Sequence, residues 1–256
     1  MDFVEMLLKN APAFIFVLGR TASILLLFPF YRFVFIPVSV KMALVGILSI
    51  IMVPLVGSVP MPAGVLELAL GLVRELLIGF TIGLATNFIF TGVEFAGHIM
   101  GYQMGLAMAN VFDPASASQI SILGRLTGLI AMLVFLMANG HLLIIMTIKK
   151  SFEIIPPYGF HLSEPLGDGV LTLSKEIFII GIKLAAPVMA VVFFLNLTLG
   201  ILSKAVPQLN MFVVGFAIII AAGFVVMFLT LPLMQGAMEK AFDGMWQSVF
   251  GLVRVM

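Results

Sequence analysis

The sequence predicts an all-α, polytopic membrane protein. Of its 256 residues, 62% are hydrophobic and 10% are charged, and the mean hydropathy is +1.24. Soluble domains carry roughly 25% charged residues and about half apolar ones. A soluble fold of this composition would expose a large apolar surface to water. The chain also contains several long apolar segments. We therefore expect a lipid bilayer to be the solvent for much of it.

Each predicted spanning helix is an apolar segment of about 20 residues or more, the length needed to cross a bilayer. Prolines mark the connections, with Pro29 and Pro37 around the first and Pro54 and Pro60 around the second. The six segments are 11–31, 34–57, 65–92, 122–148, 177–202 and 209–234.

A polar stretch divides these segments into a group of four and a group of two. It starts after Ile155 with two consecutive prolines and contains several charged residues up to Glu176. We predict a connecting loop at the membrane surface over 156–176. The parts on either side are a four-helix part, 1–155, and a helical hairpin with a C-terminal tail, 177–256.

The segment 93–121 departs from a plain apolar helix. It begins with Gly97, Gly101 and Gly105 at intervals of four, a spacing that lets another backbone approach closely. Asp113 and Pro114 then end the helical run, because proline cannot donate the helical hydrogen bond. Such a break at membrane depth must be buried in protein or line a watery cavity. The residues fit both an ordinary extramembrane loop and a pore-facing loop.

Several charged side chains lie within the predicted spans, where an ionisable group is costly and is usually paired or functional. Arg20 lies in the first segment and Lys41 in the second. Arg74 and Glu75 are neighbours that point in different directions, so each needs its own partner. Lys183 lies four residues before Pro187 and leaves a polar notch in the fifth segment. Structural pairing, including pairing with other subunits, and a transport role are both compatible with this pattern.

The sequence offers little for catalysis, cofactors or nucleic acid. The chain has no cysteine, and its three histidines lie in different segments without metal-ligand spacing. No phosphate-binding loop or nucleophile motif occurs. The net charge of +1 gives no basic bias toward nucleic acid. We expect no enzyme activity and no cofactor or metal.

Five segments together resemble the FliR family of flagellar biosynthesis proteins and its counterparts in virulence-type type III secretion. The order and spacing of the five agree with the family over nearly the whole chain. They are Arg74-Glu75-Leu76-Leu77-Ile78-Gly79, Gly101-Tyr102-Gln103-Met104-Gly105-Leu106, Phe112-Asp113-Pro114, Asn139-Gly140-His141 and Val206-Pro207-Gln208-Leu209-Asn210-Met211-Phe212-Val213-Val214-Gly215.

The resemblance implies a pore-forming structural subunit of the flagellar export gate in the bacterial inner membrane, at the flagellar basal body. FliR-like proteins assemble with FliP-like and FliQ-like membrane subunits into a hetero-oligomeric helical pore, which passes unfolded proteins. FlhB- and FlhA-like export components are further implied partners, and the lipid bilayer surrounds the complex. The first four helices would resemble FliP and the last two FliQ. The subunits would be tilted hairpins raised partly above the bilayer, with a topology different from six simple spans.

The resemblance also implies two groups of functional residues. A plug loop would close the pore over about 105–119, with Phe112 in its middle. Its candidate residues are Gly105, Met108, Asn110, Val111, Phe112, Asp113 and Pro114. Candidate residues for helix packing and assembly are Arg74, Glu75, Gly79, Gly97, Gly101, Lys183, Pro207, Gln208 and Asn210.

The main competing interpretation is a small-solute secondary transporter or channel. A transporter predicts inverted repeats and paired broken helices around a midplane site. The break near Asp113 has no convincing counterpart in the second part, where Pro187 and Pro207 are the nearest candidates. A membrane-embedded enzyme ranks third, because no set of acid, base or metal ligands converges.

Overall fold

A computed structural model gives the fold of the chain. It describes residues 11–32, 36–57, 59–60, 62, 64–106, 121–161, 163–206 and 211–256. The all-α prediction is confirmed: in these ranges the regular elements are helices. They are α1 Ala11–Leu27, α2 Pro29–Arg32, α3 Val38–Val56, α4 Val65–Gln103, α5 Ile122–Met137, α6 Gly140–Ile154, α7 Glu164–Ala205 and α8 Met211–Val255.

The predicted span 122–148 is wrong as a single helix. It is two helices, α5 and α6, which meet at an angle of 70°. Asn139 lies between them with φ of 55°. This left-handed conformation ends one helix, and asparagine adopts it more readily than most residues. Gly140 then begins the next helix.

The predicted loop 156–176 is correct only in its first part. The chain is non-helical at residues 155–161 and 163, and α7 begins at Glu164. The polar residues after that point lie on the outer side of a helix whose other side buries Leu166 and Leu173. Charged residues at helical spacing around buried leucines therefore favour an amphipathic helix here, rather than a loop.

The tail expected after residue 234 is a continuation of α8. Met234, Met238, Phe242, Met245 and Val249 are buried at intervals of three or four residues, which is one face of an α-helix. The exposed face of this part carries charged residues, including Asp243 and Arg254. The first part of α8 instead exposes large apolar residues, such as Phe228 and Leu233.

Among the described residues, four helices are long and apolar enough to cross a membrane, or five if the bent pair α5–α6 is one span. Six simple spans were expected, and α1, at 17 residues, is shorter than the four helices that are long enough to span. The helices α4, α7 and α8 have 39, 42 and 45 residues. At 1.5 Å per residue they are about 58 to 68 Å long. The hydrocarbon core of a bilayer is about 30 Å thick, so roughly half of each fits inside it.

The chain forms two compact units, and each combines residues from both halves of the sequence. The first unit comprises residues 1–88, 139–174 and 243–256. Within it, α1 packs against α3. The second unit comprises residues 89–138 and 175–242. Three buried phenylalanines, Phe90, Phe135 and Phe242, form an aromatic cluster in this second unit, with ring centroids 5.1–5.4 Å apart.

Candidate assembly and gate residues

A buried ion pair lies in the first unit. Arg20 of α1 and Glu75 of α4 are both 0% exposed, and Arg20 Nε lies 2.6 Å from Glu75 Oε2. Glu75 was expected to need its own partner, and Arg20 is that partner. A buried charge without its partner is strongly destabilising, so the pair fixes the position of α1 on α4.

Arg20 also joins α6 to these two helices. Its Nη1 donates to Ser151 Oγ at 3.3 Å, and its Nη2 donates to the carbonyl of Ile155 at 3.0 Å. The guanidinium carbon lies 3.8 Å from the ring centroid of Phe152, within the range of a cation–π interaction. One side chain therefore holds three helices together.

The short loop after α6 is fixed by contacts with α1, α4 and α8. Arg74 is exposed, and its Nη1 donates to the carbonyl of Tyr158 at 3.3 Å. The Tyr158 ring packs edge-on against Phe16, with centroids 5.0 Å apart. At the other end of the loop, the His161 N–H donates to the carbonyl of Met256 at 2.8 Å. Ser163 Oγ donates to the carbonyl of Val255.

The environment of this loop also affects the Tyr158 hydroxyl. Burial raises the pKa of this hydroxyl, and the carboxylates of Glu67 and Glu75 raise it further. The pKa is therefore raised from the ordinary value for a tyrosine hydroxyl, which is already about 10. The phenol therefore stays neutral at physiological pH.

Glycines allow α1 and α4 to approach closely. A Cβ atom added at Gly79 would lie 2.5 Å from the carbonyl oxygen of Arg20 and 2.7 Å from Ser23 Cβ. Four residues later, a Cβ at Gly83 would lie 2.9 Å from Leu27 Cβ. The small-residue pair Gly79/Gly83 thus serves packing within the chain.

In the second unit, α4 packs against α5 through glycines on both helices. A Cβ at Gly97 would meet Thr127 Oγ1, and would lie 2.5 Å from the carbonyl oxygen of Leu123. Thr127 Oγ1 itself donates to the carbonyl of Val93 at 3.2 Å. At Gly101 the nearest atom is Ser121 Oγ, at 2.9 Å.

The facing glycines of α5 lie under polar side chains of α4. Gly124 lies against the His98 ring, where an added Cβ would be 2.9 Å from Cδ2. Gly128 lies against Glu94, where the distance would be 3.1 Å. The spacing of four between Glu94 and His98 therefore places both over one glycine-lined groove.

The helix α4 ends where the candidate plug loop begins. Gly105 has φ of 78°, a left-handed conformation that favours glycine and commonly terminates helices. A Cβ added there would lie 2.8 Å from the Phe216 ring. The other candidate plug residues, Met108, Asn110, Val111, Phe112, Asp113 and Pro114, lie outside the described residues.

The remaining candidates lie on or beside α7 and α8. Lys183 is exposed on α7, so the structure does not place it in a buried pair within this chain. Pro207, Gln208 and Asn210 fall outside the described residues, between the end of α7 and the start of α8 in the sequence. Close to these ends of the two helices, a Cβ at Gly215 of α8 would lie 3.2 Å from Leu199 of α7.

The sequence interpretation did not place Arg20, Ser151 or Phe152 among the site residues. The available signal was an arginine in the middle of an otherwise apolar helix. No metal-binding group of three or more His, Cys, Asp or Glu residues occurs in the part of the chain that the structure describes.

These features define an all-helical, multi-pass membrane protein with closely packed, glycine-rich helices. A profile of the family described as "Bacterial export proteins, family 1" matches residues 11–245. Because the match covers most of the chain, this protein belongs to that family. The resemblance to FliR is confirmed by the relatives that follow.

The relatives come from distant bacteria and share one name, "Flagellar biosynthetic protein FliR". The one from Escherichia coli K12 is 38% identical over 175 residues, which cover 67% of this chain and 66% of the relative. That of Aquifex aeolicus is 29% identical over 225 residues, or 88% and 87% of the two chains. That of Bacillus subtilis is 28% identical over 238 residues, or 91% of each.

Proposed function

We propose that this chain is a pore-forming structural subunit of the flagellar type III protein export gate. It assembles with FliP-like and FliQ-like membrane proteins in the bacterial inner membrane, at the flagellar basal body. Unfolded export substrates pass through the assembled pore. The role is structural, without enzyme activity or a cofactor.

The length of α4, α7 and α8 carries this proposal. Each is about twice as long as the hydrocarbon core is thick. Each also exposes large apolar side chains, such as Leu70, Phe178 and Phe228. Apolar surface that extends beyond the hydrocarbon needs protein to cover it. A subunit of a larger helical assembly meets this requirement, and the family membership supports a place in the flagellar export apparatus.

The proposed parts of the chain are those that the sequence predicts. Residues 1–155 form a FliP-like part, 156–176 the connection, and 177–256 a FliQ-like hairpin with its extension. The contact between Gly215 and Leu199 supports an antiparallel hairpin of α7 and α8. FlhB- and FlhA-like components are the further proposed partners. The assembly residues are those at close helix contacts, such as Gly97 and Gly101, and those between α7 and α8 in the sequence.

The proposed gate is the loop that follows α4. Gly105 ends the helix with a positive φ and thereby supports a sharp change of chain direction before the loop. The loop extends to about residue 119 and places apolar Phe112 in the closed pore, where apolar residues exclude water and ions.

Shortening the loop tests this gate. We expect removal of residues 109–113 from the co-expressed complex to increase ion leakage across the membrane, because the apolar seal is lost. The measurement is single-channel conductance of the purified complex in planar bilayers. Replacing Gly46 by alanine serves as the control, because a Cβ there meets nothing within 4 Å. A loop-shortened complex that stays as ion-tight as the control would contradict the plug assignment.

A further inference from the structure

The first half of α4 carries a stripe of exposed apolar side chains. Leu66, Leu70, Val73, Leu77 and Phe80 recur at alternating intervals of four and three residues, and each is between 44% and 74% exposed. This is the spacing of the apolar positions that form the seam of a coiled coil. We call these five residues the outer seam.

The opposite side of α4 is already occupied within the chain. Glu75, Ile78 and Ile82 are buried there at the same alternating spacing, and α1 lies against this side at Gly79. Each seam residue is five positions before a buried one, which is about 140° around the helix. The outer seam is therefore a second, separate packing face of α4.

A non-helical loop lies beside α4 at the same height along the helix as the middle of the outer seam. A Cβ added at Gly71, next to Leu70, would lie 2.7 Å from Cε1 of Tyr158. Arg74, next to Val73, donates to the carbonyl of Tyr158. Tyr158 belongs to the irregular segment after α6. Irregular backbone does not face lipid inside the hydrocarbon region, so this loop lies outside that region or is buried in protein.

The helix ends joined to this loop carry exposed charged side chains. The loop residue His161 bonds to the end of α8 at Met256. That end of α8 exposes Asp243 and Arg254, and the nearby start of α7 exposes Asp168. Charged side chains on the outer face are typical of a helix in water. The charges favour water over lipid at this level, and water would leave the apolar seam exposed.

The flank of the seam is charged. Glu67 and Arg74 are exposed and lie one heptad apart, beside the apolar stripe. Across the described ranges, Arg74 forms no salt bridge, and its one hydrogen bond is to a carbonyl. An apolar stripe with a charged flank is typical of a surface that binds another helix, where flanking charges select the partner.

We propose that the outer seam docks one helix of another protein subunit. That helix carries apolar residues at alternating spacings of three and four, and a carboxylate that faces Arg74. The inference rests on the proposed function only for the source of this helix, which is another membrane subunit of the export gate.

Single cysteines test whether protein covers the seam. The chain has no cysteine of its own, so Val73→Cys introduces a unique thiol, and Gln247→Cys gives a water-exposed control on α8. Each variant is purified alone and as the co-expressed complex in nanodiscs, and is treated with a water-soluble maleimide. We expect the thiol of Val73→Cys to react in the isolated chain and to be protected in the complex, whereas the control thiol reacts in both.

Two other outcomes would overturn the proposal. Full maleimide reactivity of the Val73→Cys thiol in the complex would show that water faces the seam. For the second outcome, a fluorophore is attached to that thiol before assembly. If the thiol is protected in the complex and brominated lipids quench this fluorophore, acyl chains cover the seam.

A charge reversal tests the predicted carboxylate. We expect Arg74→Glu to lower the recovery of co-purified subunits by about tenfold, because it places like charges together in an interface. Arg74→Lys keeps the charge, and we expect recovery near that of the unchanged protein. Equal recovery for Arg74→Glu and Arg74→Lys would contradict the proposal.

These results separate the seam from the proposed function. If the unchanged chain co-purifies with its partners while the seam variants behave like controls, the seam assignment fails and the proposed function stands. If the unchanged chain recovers no partner subunit, the proposed function fails.

Discussion

Different interactions stabilise the interior of each of the two compact units. In the first unit, the buried pair Arg20–Glu75 and its hydrogen bonds join α1, α4 and α6. In the second unit, α4 and α5 meet through glycines such as Gly97, and phenylalanines from α4, α5 and α8 form the aromatic cluster. The first unit therefore combines glycine contacts with a buried ion pair, whereas the second combines glycine contacts with an aromatic cluster.

The difference indicates how each unit should respond to substitution. A buried ion pair has a sharp response, because removal of either member leaves an uncompensated charge. A glycine contact has a graded response that depends on what the new Cβ meets. Backbone atoms cannot move aside as easily as the end of a flexible side chain. The substitutions below test this contrast, beginning with the largest expected effect.

Replacement of Glu75 by alanine should have the largest effect. Arg20 would remain buried without its carboxylate, and breaking a buried pair in this way costs about 3–5 kcal/mol. We expect a large loss in the free energy of unfolding, measured by thermal unfolding of the purified protein in detergent. The double variant Arg20→Met with Glu75→Leu should recover most of the stability, because it removes both charges and keeps apolar volume. Equal losses in the single and double variants would contradict the importance of charge pairing.

Replacement of Gly97 by alanine should have an intermediate effect, because the new Cβ meets the backbone of α5 at Leu123. Overpacking of this kind costs about 1–3 kcal/mol. The same change at Gly101 should cost less, since there the nearest atom is the hydroxyl oxygen of Ser121. Unfolding of the two variants side by side checks the order. A larger loss at Gly101 would show that backbone contact does not set the cost.

Replacement of Gly236 by alanine should have the smallest effect and the opposite sign. A Cβ there meets nothing within 4 Å, and alanine is favoured over glycine inside a helix by about 1 kcal/mol. We expect the free energy of unfolding to rise slightly. A clear decrease in the thermal stability of the purified variant would contradict the open space around Gly236.

Much of the fold could be predicted from the sequence, because apolar length alone identifies helices that can span a membrane. The extension of α8 was also visible in principle, since Met238, Phe242 and Met245 follow helical spacing beyond the apolar segment. The break in 122–148 was missed because apolar composition continues through it. Its local signal was Asn139-Gly140, which the sequence interpretation used only as a family motif.

The candidate site was predictable only in part. Glycine spacing identified Gly97 and Gly101 as positions of close approach, and the structure gives the atoms that they meet. The pairing of Arg20 with Glu75 could not be read from the sequence, because the two residues are 55 positions apart. Their contact depends on how α1 packs on α4. Arg74 and Lys183 are exposed, so any charged partners for them come from outside the described chain.

The most direct test of the central claim is native mass spectrometry of this chain, co-expressed with its FliP-like and FliQ-like neighbours and compared with the chain expressed alone. The proposed function predicts a stable hetero-oligomer that contains the chain in one or few copies. A well-behaved monomer or homodimer that does not bind those proteins would contradict it. That result would favour the small-solute transporter and a search for bound solute.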